Sequence, residues 1–179
     1  MAIQLDPQLF EAYYEYARAC RMQGKSEKAL ELFKKATELR PENYEAALFL
    51  SSAYNKLQME DEHRQAITNA LKVTRTHLEL NPDDSRALYL GAGNLIQEGE
   101  NEEALLWLER AVSIDPNETA VLYNATCIYA MLGMKDKALD YFERCIASGY
   151  ASREWIENDP DLDPIREHAR FQAALKGLN

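Results

Sequence analysis

The chain has 179 residues, 46% of them hydrophobic, with seven Gly, six Pro and three Cys. That suffices for one sizeable or one elongated core, and it excludes the collagen-like, low-complexity and disordered classes. A net charge of −10 sets the surface against phosphate backbones, so no nucleic-acid partner is expected.

No apolar run reaches bilayer-spanning length and no basic-then-apolar leader opens the chain, so membrane insertion is not expected. Cys20, Cys127 and Cys145 show no C-x-x-C spacing and read as buried thiols of a reducing, cytoplasmic compartment.

In chain order, the opening A-I-Q-L-D-P has the form of a closing phrase, and it returns as A-T-E-L-R-P and A-V-S-I-D-P. Residues 1–7 therefore read as the last turns of a preceding unit. The simplest account is a piece of a longer chain with Met1 as a supplied start; a native start with a helical stub is the alternative. The phrase ends on Pro7, Pro41, Pro82 and Pro116, at spacings of 34, 41 and 34. Four units follow, 8–41, 42–82, 83–116 and 117–148.

The second unit has seven residues too many, close to two helical turns. Its stretch EDEHRQAITNALKVTRTHLEL has no Gly or Pro and keeps apolar residues at Ala66, Ile67, Ala70, Leu71, Val73 and Leu78. It reads as one long second helix that overhangs its neighbours by about two turns; the rival reading adds a turn to each of two helices, since Leu57-Gln58-Met59 carries no clear turn signal. The tail 149–179 breaks the period. S-R-E-W-I-E-N suits a short helix, N-D-P-D-L-D-P a turn, and Pro164 the first position of a closing helix over about residues 165–175. Trp155, Leu162, Ile165, Phe171 and Leu175 are its expected inner residues.

A 34-residue period belongs to the tetratricopeptide repeat, whose pattern ends in A-x3-F and Pro. FEAYYEYARACRMQGKSEKALELFKKATELRP places Ala17, Gly24, Ala29, Phe33, Ala36 and Pro41 in that register. The third unit supplies Ala92, Gly99, Ala104, Leu108, Ala111 and Pro116, and the fourth supplies Thr126, Tyr129, Gly133, Ala138 and Phe142. Over about residues 2–148 the chain resembles the tetratricopeptide repeat family. The resemblance implies an all-α, right-handed solenoid of helix-turn-helix repeats closed by C-terminal capping helices. Small residues would permit close crossings and prolines would punctuate the units. The D-L-D-P-I-R-x-H-x-R-F phrase resembles tails that follow repeat arrays in bacterial multidomain proteins.

Catalytic chemistry is not indicated. Asp159, Asp161 and Asp163 open like a calcium loop, but Pro164 stands at the sixth position and Arg170 at the twelfth. His63, His77 and His168 are isolated, so neither metal nor cofactor is expected. No P-loop or nucleophile-elbow motif occurs, and an enzyme is not expected.

What the resemblance implies is a concave groove lined by the first helix of each repeat, binding a peptide or a partner helix. Its inward positions fall on Tyr14, Arg18, Leu48, Ser52, Asn55, Arg86, Tyr89 and Tyr123, with Glu11, Glu45, Gly93, Ile96, Cys127 and Ala130 also on that face. Tyr14, Leu48, Tyr89 and Tyr123 share one repeat position and form either a partly aromatic binding stripe or packing between repeats. The alternative function is a regulatory or self-assembly domain behind an N-terminal kinase, nucleotide cyclase or transcription regulator. If residues 2–7 are the remnant of a preceding unit, self-association is expected through the N-terminal end.

Overall fold

The computed structural model describes residues 5–149 and 153–178, apart from the side chain of residue 154. Of the closing phrase at 2–7, residues 2–4 lie outside the described residues. The described chain is helical without a strand. No helix in it is long and apolar enough to cross a membrane. The fold class is all-α, of the solenoid-repeat type. It divides into two compact units, residues 1–82 and 83–179.

The first unit holds α1 (Phe10–Met22), α2 (Ser26–Leu39), α3 (Tyr44–Lys56) and α4 (Glu60–Leu80). The second holds α5 (Ser85–Gln97), α6 (Asn101–Ile114), α7 (Thr119–Met131) and α8 (Lys135–Ala147). The pairs α1–α2, α3–α4, α5–α6 and α7–α8 are antiparallel hairpins. Their turns share one geometry. In the first, Lys25 N–H bonds the Cys20 carbonyl at 2.9 Å and Gly24 N–H bonds that of Arg21 at 3.1 Å. This is the left-handed helix ending that glycine favours, and φ is +70° at Gly24, +79° at Gly99 and +71° at Gly133. The second hairpin makes the same turn with Gln58 at φ +57°. The sequence shows no turn signal there because Gln stands where the other turns have Gly, and a side chain in that region costs roughly 1–2 kcal/mol.

The hairpin turn at Gln58 settles the long unit. Its first helix, α3, has 13 residues, as α1 and α5 do, while α4 has 21 against 14 in α2 and α6. All seven added residues fall in the second helix. Side-chain caps support two starts. Asn43 Oδ1 accepts from Ala46 N–H at 2.8 Å, and Asp84 Oδ1 from Ala87 N–H at 3.0 Å.

Close crossings rest on small residues, as the spacing predicts. Ala17 and Ala29, Ala92 and Ala104, and Thr126 with Ala138 are fully buried. The second hairpin instead holds Ser51 and His63 at these positions. His63 Nδ1 lies 3.1 Å from the Ser51 carbonyl and so carries the proton it donates there. An aromatic cluster fills the first unit: Phe33 stacks on Phe49 at 5.5 Å and meets Tyr14 at 6.4 Å.

A cap closes the second unit. It comprises α9 (Arg153–Asn158), a 3₁₀ turn (Pro160–Leu162), α10 (Asp163–Arg166) and α11 (Ala169–Lys176). Leu162, Ile165, Phe171 and Leu175 are buried as expected. Two expectations need correction. The closing helix is not continuous over 165–175: it breaks at His168, whose extended backbone caps α11 while Nδ1 accepts from Arg170 N–H at 3.3 Å. Trp155 is only half-buried, and its neighbour Ile156 fills the core instead. Phe171 stacks on Phe142 of α8 at 4.4 Å, and Arg170 grips Asp140 and Glu143 of the same helix.

Candidate functional site

The inward positions split into two kinds. Tyr14, Leu48, Tyr89 and Tyr123 are 8, 1, 4 and 8% exposed. Their rings and methyls are therefore spent on packing, and what reaches the surface is an edge. Tyr14 stacks on Phe10 at 5.5 Å and donates its hydroxyl to Glu45 of α3. Tyr123 donates to Asp159 Oδ2 at 2.6 Å. The Tyr89 hydroxyl accepts from Arg86 at 3.3 Å.

The polar positions stand over this floor. Arg18 is half-exposed, with its guanidinium 5.6 Å from the Tyr14 ring centroid and 3.2 Å from Glu15. Ser52 and Arg86 are half-buried and Asn55 is exposed. Ser52 Oγ donates to the Leu48 carbonyl at 3.1 Å. Arg18, Ser52 and Asn55 lie in the first unit with Tyr14 and Leu48; Arg86, Tyr89 and Tyr123 lie in the second. The burial of the rings was the one property that the shared repeat position could not reveal. Tyr14 and Tyr123 take partners from other elements, Glu45 and Asp159, besides those on their own helices.

One cluster brings metal-type donors together. Cys127 Sγ and a carboxylate oxygen from each of Asp159 and Asp161 lie within 4.8 Å of one another. Cys127 and Asp159 have protein partners here. Asp159 Oδ2 takes the Tyr123 hydroxyl and lies 4.0 Å from the Cys127 thiol, while Oδ1 takes the Asp161 N–H at 3.0 Å. Burial first, and then the carboxylates of Asp159 and Asp161, push the Cys127 thiol well above the usual thiol range. Such a thiol stays protonated near neutral pH and can donate to the Asp159 carboxylate. Asp163, the third carboxylate of the sequence motif, pairs with Arg166 at 2.8 Å.

Two family profiles, both described as Tetratricopeptide repeat, match residues 10–43 and 50–119. The chain belongs to the tetratricopeptide-repeat family. Among curated relatives, the mouse "Interferon-induced protein with tetratricopeptide repeats 3" is 31% identical over 137 residues, which is 76% of this chain and 32% of that protein. This tetratricopeptide-repeat chain thus spans about a third of that relative's length.

A thermophilic tetratricopeptide-repeat protein of Thermus thermophilus superposes with a TM-score of 0.66 at 22% identity, covering 98% of this chain and 86% of that one. YrrB, described as having an unusual peptide-binding site, gives 0.51 at 21%, covering 98 and 96%. Human IFIT1, as a dimer with m7Gppp-AAAA, gives 0.71 at 15%, covering 99 and 43%. At these identities the likenesses show the fold alone. They lend no support to the exclusion of nucleic acid expected from the net charge. The tetratricopeptide fold is that of a protein–protein interaction scaffold.

Proposed function

We propose that this protein is a peptide- or helix-binding interaction module that reads its partner through the inward face of its first helices. The observation that carries this reading is the two-layer composition of that face. Buried Tyr14 and Leu48 make a rigid floor, and Arg18, Ser52 and Asn55 stand at repeating positions above it. A rigid apolar floor with adaptable polar groups is suited to an extended peptide, whose backbone needs partners and whose side chains need edges to rest on. Arg86 and Tyr89 offer the same pairing in the second unit. The description of YrrB as a tetratricopeptide-repeat protein with a peptide-binding site supports the same reading by analogy.

The test is capture of the partner by the full chain, followed by titration of the Arg18→Ala/Asn55→Ala variant. Melting should match the parent, and affinity should fall at least about tenfold, or 1.4 kcal/mol. Unchanged affinity places the partner on another face. Binding of a single-stranded RNA probe that vanishes in high salt would overturn the protein-partner reading. The second reading, a regulatory or self-assembly module of a longer chain, is favoured by the D-L-D-P-I-R phrase of the cap. It predicts that the captured partner is the protein's own longer chain.

A further inference from the structure

The last hairpin does not present a bare inward face. Its inward positions include Tyr123 and Cys127, and the chain's own segment 159–162 contacts both. Asp159 grips the helix with Oδ2 and closes a capped turn on Asp161 N–H with Oδ1. Leu162, three residues on, is fully buried. Arg166 holds the segment from behind. Its guanidinium donates to the carbonyls of Ile156, Glu157 and Asp159 at 3.2, 2.8 and 2.6 Å, and to Asp163 Oδ1 at 2.9 Å. In the first unit the equivalent tyrosine, Tyr14, finds its carboxylate on a regular helix, at Glu45. At Tyr123 the carboxylate arrives instead on a short turn, as a bound peptide would bring it.

We propose that the inward face of α7 is a recognition site for an acidic Asp-Pro-x-Leu segment, filled in this chain by residues 159–162 as a built-in occupant. It rests on the reading that inward faces bind peptides, and it specifies what this one takes. The ligand needs a carboxylate for the Tyr123 hydroxyl and the Cys127 thiol. It needs a proline that presets the turn, and an aliphatic side chain three residues after the acid. While the occupant is in place, Tyr123 is closed to any partner, which must be read by the helices before α7. The rest of the cap is anchored separately, by Ile165, Leu175 and the Phe171–Phe142 stack. The carboxylate and aliphatic positions of the site can therefore be emptied by substitution without undocking the cap.

The experiment uses the full chain carrying Asp159→Ala/Leu162→Ala and a fluorescein-labelled peptide of sequence Asn-Asp-Pro-Asp-Leu-Asp. Anisotropy titration should show the peptide binding the variant at least about tenfold more tightly than the parent, with the gain abolished by adding Tyr123→Phe. Equal affinity for parent and variant, or indifference to Tyr123→Phe, overturns the proposal. Should the double substitution fail to fold, Asp159→Ala alone is melted in acetate and in chloride at equal ionic strength. Acetate should raise the melting temperature of the variant and not of the parent, and no selective rise overturns the proposal. No partner protein enters either measurement, so their failure and that of the interaction-module reading are separable.

Discussion

The two units share a repeat and differ in how they are held together. Residues 1–82 carry 11 Lys and Arg against 12 Asp and Glu; residues 83–179 carry 9 against 18. The nearly balanced first unit packs aromatic rings and lays cations over them, with Arg21 4.9 Å from Phe49, Lys34 5.1 Å from Tyr54 and Arg40 4.6 Å from Phe10. The acidic second unit also stacks rings, Phe142 on Phe171 and Tyr129 on Tyr141, with Lys137 and Arg144 over the latter pair, but it spends two of its six arginines, Arg166 and Arg170, on fastening the cap. Both units nevertheless use one device. A buried tyrosine donates its hydroxyl to a carboxylate beyond its own hairpin, Glu45 of α3 in the first and Asp159 before the 3₁₀ turn in the second. The cap thus makes the bond that the next repeat makes elsewhere, and this is how an array with one-dimensional contacts can be ended.

The cores should show the largest effects. Phe33→Ala and Phe142→Ala each remove a fully buried ring and should cost about 3–5 kcal/mol in denaturant unfolding. They should differ in hydrogen exchange. Only Phe142→Ala removes the ring under Phe171, so only it should speed exchange across residues 153–178. Tyr14→Ala should approach the Phe33→Ala loss. A Tyr14→Ala chain that melts like the parent would show that the ring is surface and not packing.

Tyr14→Phe and Tyr123→Phe probe the tyrosine–carboxylate device shared by the two units. Each deletes a hydrogen bond to a charged acceptor and should cost roughly 1.5–3 kcal/mol. If one of the pair costs nothing, the two contacts are not equivalent and the cap does not imitate a repeat.

Two thiols of the second unit supply a pH signature. Burial pushes Cys145 up to about 12, and burial with the Asp159 and Asp161 carboxylates pushes Cys127 up as well. An unfolded thiol titrates near about 8.5. Above that pH the unfolded chain binds fewer protons than the folded one, so stability falls as pH rises. The slope should reach about 1.4 kcal/mol per pH unit for each thiol. Stability at pH 8 and at pH 9.5 should converge in a Cys127→Ala/Cys145→Ala chain.

The smallest effect separates the hairpin turns. Gln58→Gly relieves a left-handed side chain and should stabilise by about 1 kcal/mol, whereas Gly24→Ala at φ +70° should destabilise by a similar amount. A thermal melt of each variant reads the sign directly.

The repeat, the helices, the glycine turns at 24, 99 and 133, the small residues of three crossings and four of the five expected inner residues of the cap are legible in the sequence. All of these follow from local rules: helix bonds span four residues, the turn bonds span three to five, and a repeated register places the same face inward each time. The rest depends on tertiary structure. The turn at Gln58, which decides for the single long helix α4 over two lengthened ones, is imposed on a residue that does not prefer it by the packing of two amphipathic helices. The stripe of Tyr14, Leu48, Tyr89 and Tyr123 is legible as a line of equivalent positions, but not as buried. The partner of Tyr14 lies 31 residues away and that of Tyr123 lies 36 away. Periodicity says which residues share a face; only the element that lands on that face determines whether a ring ends as surface or as core.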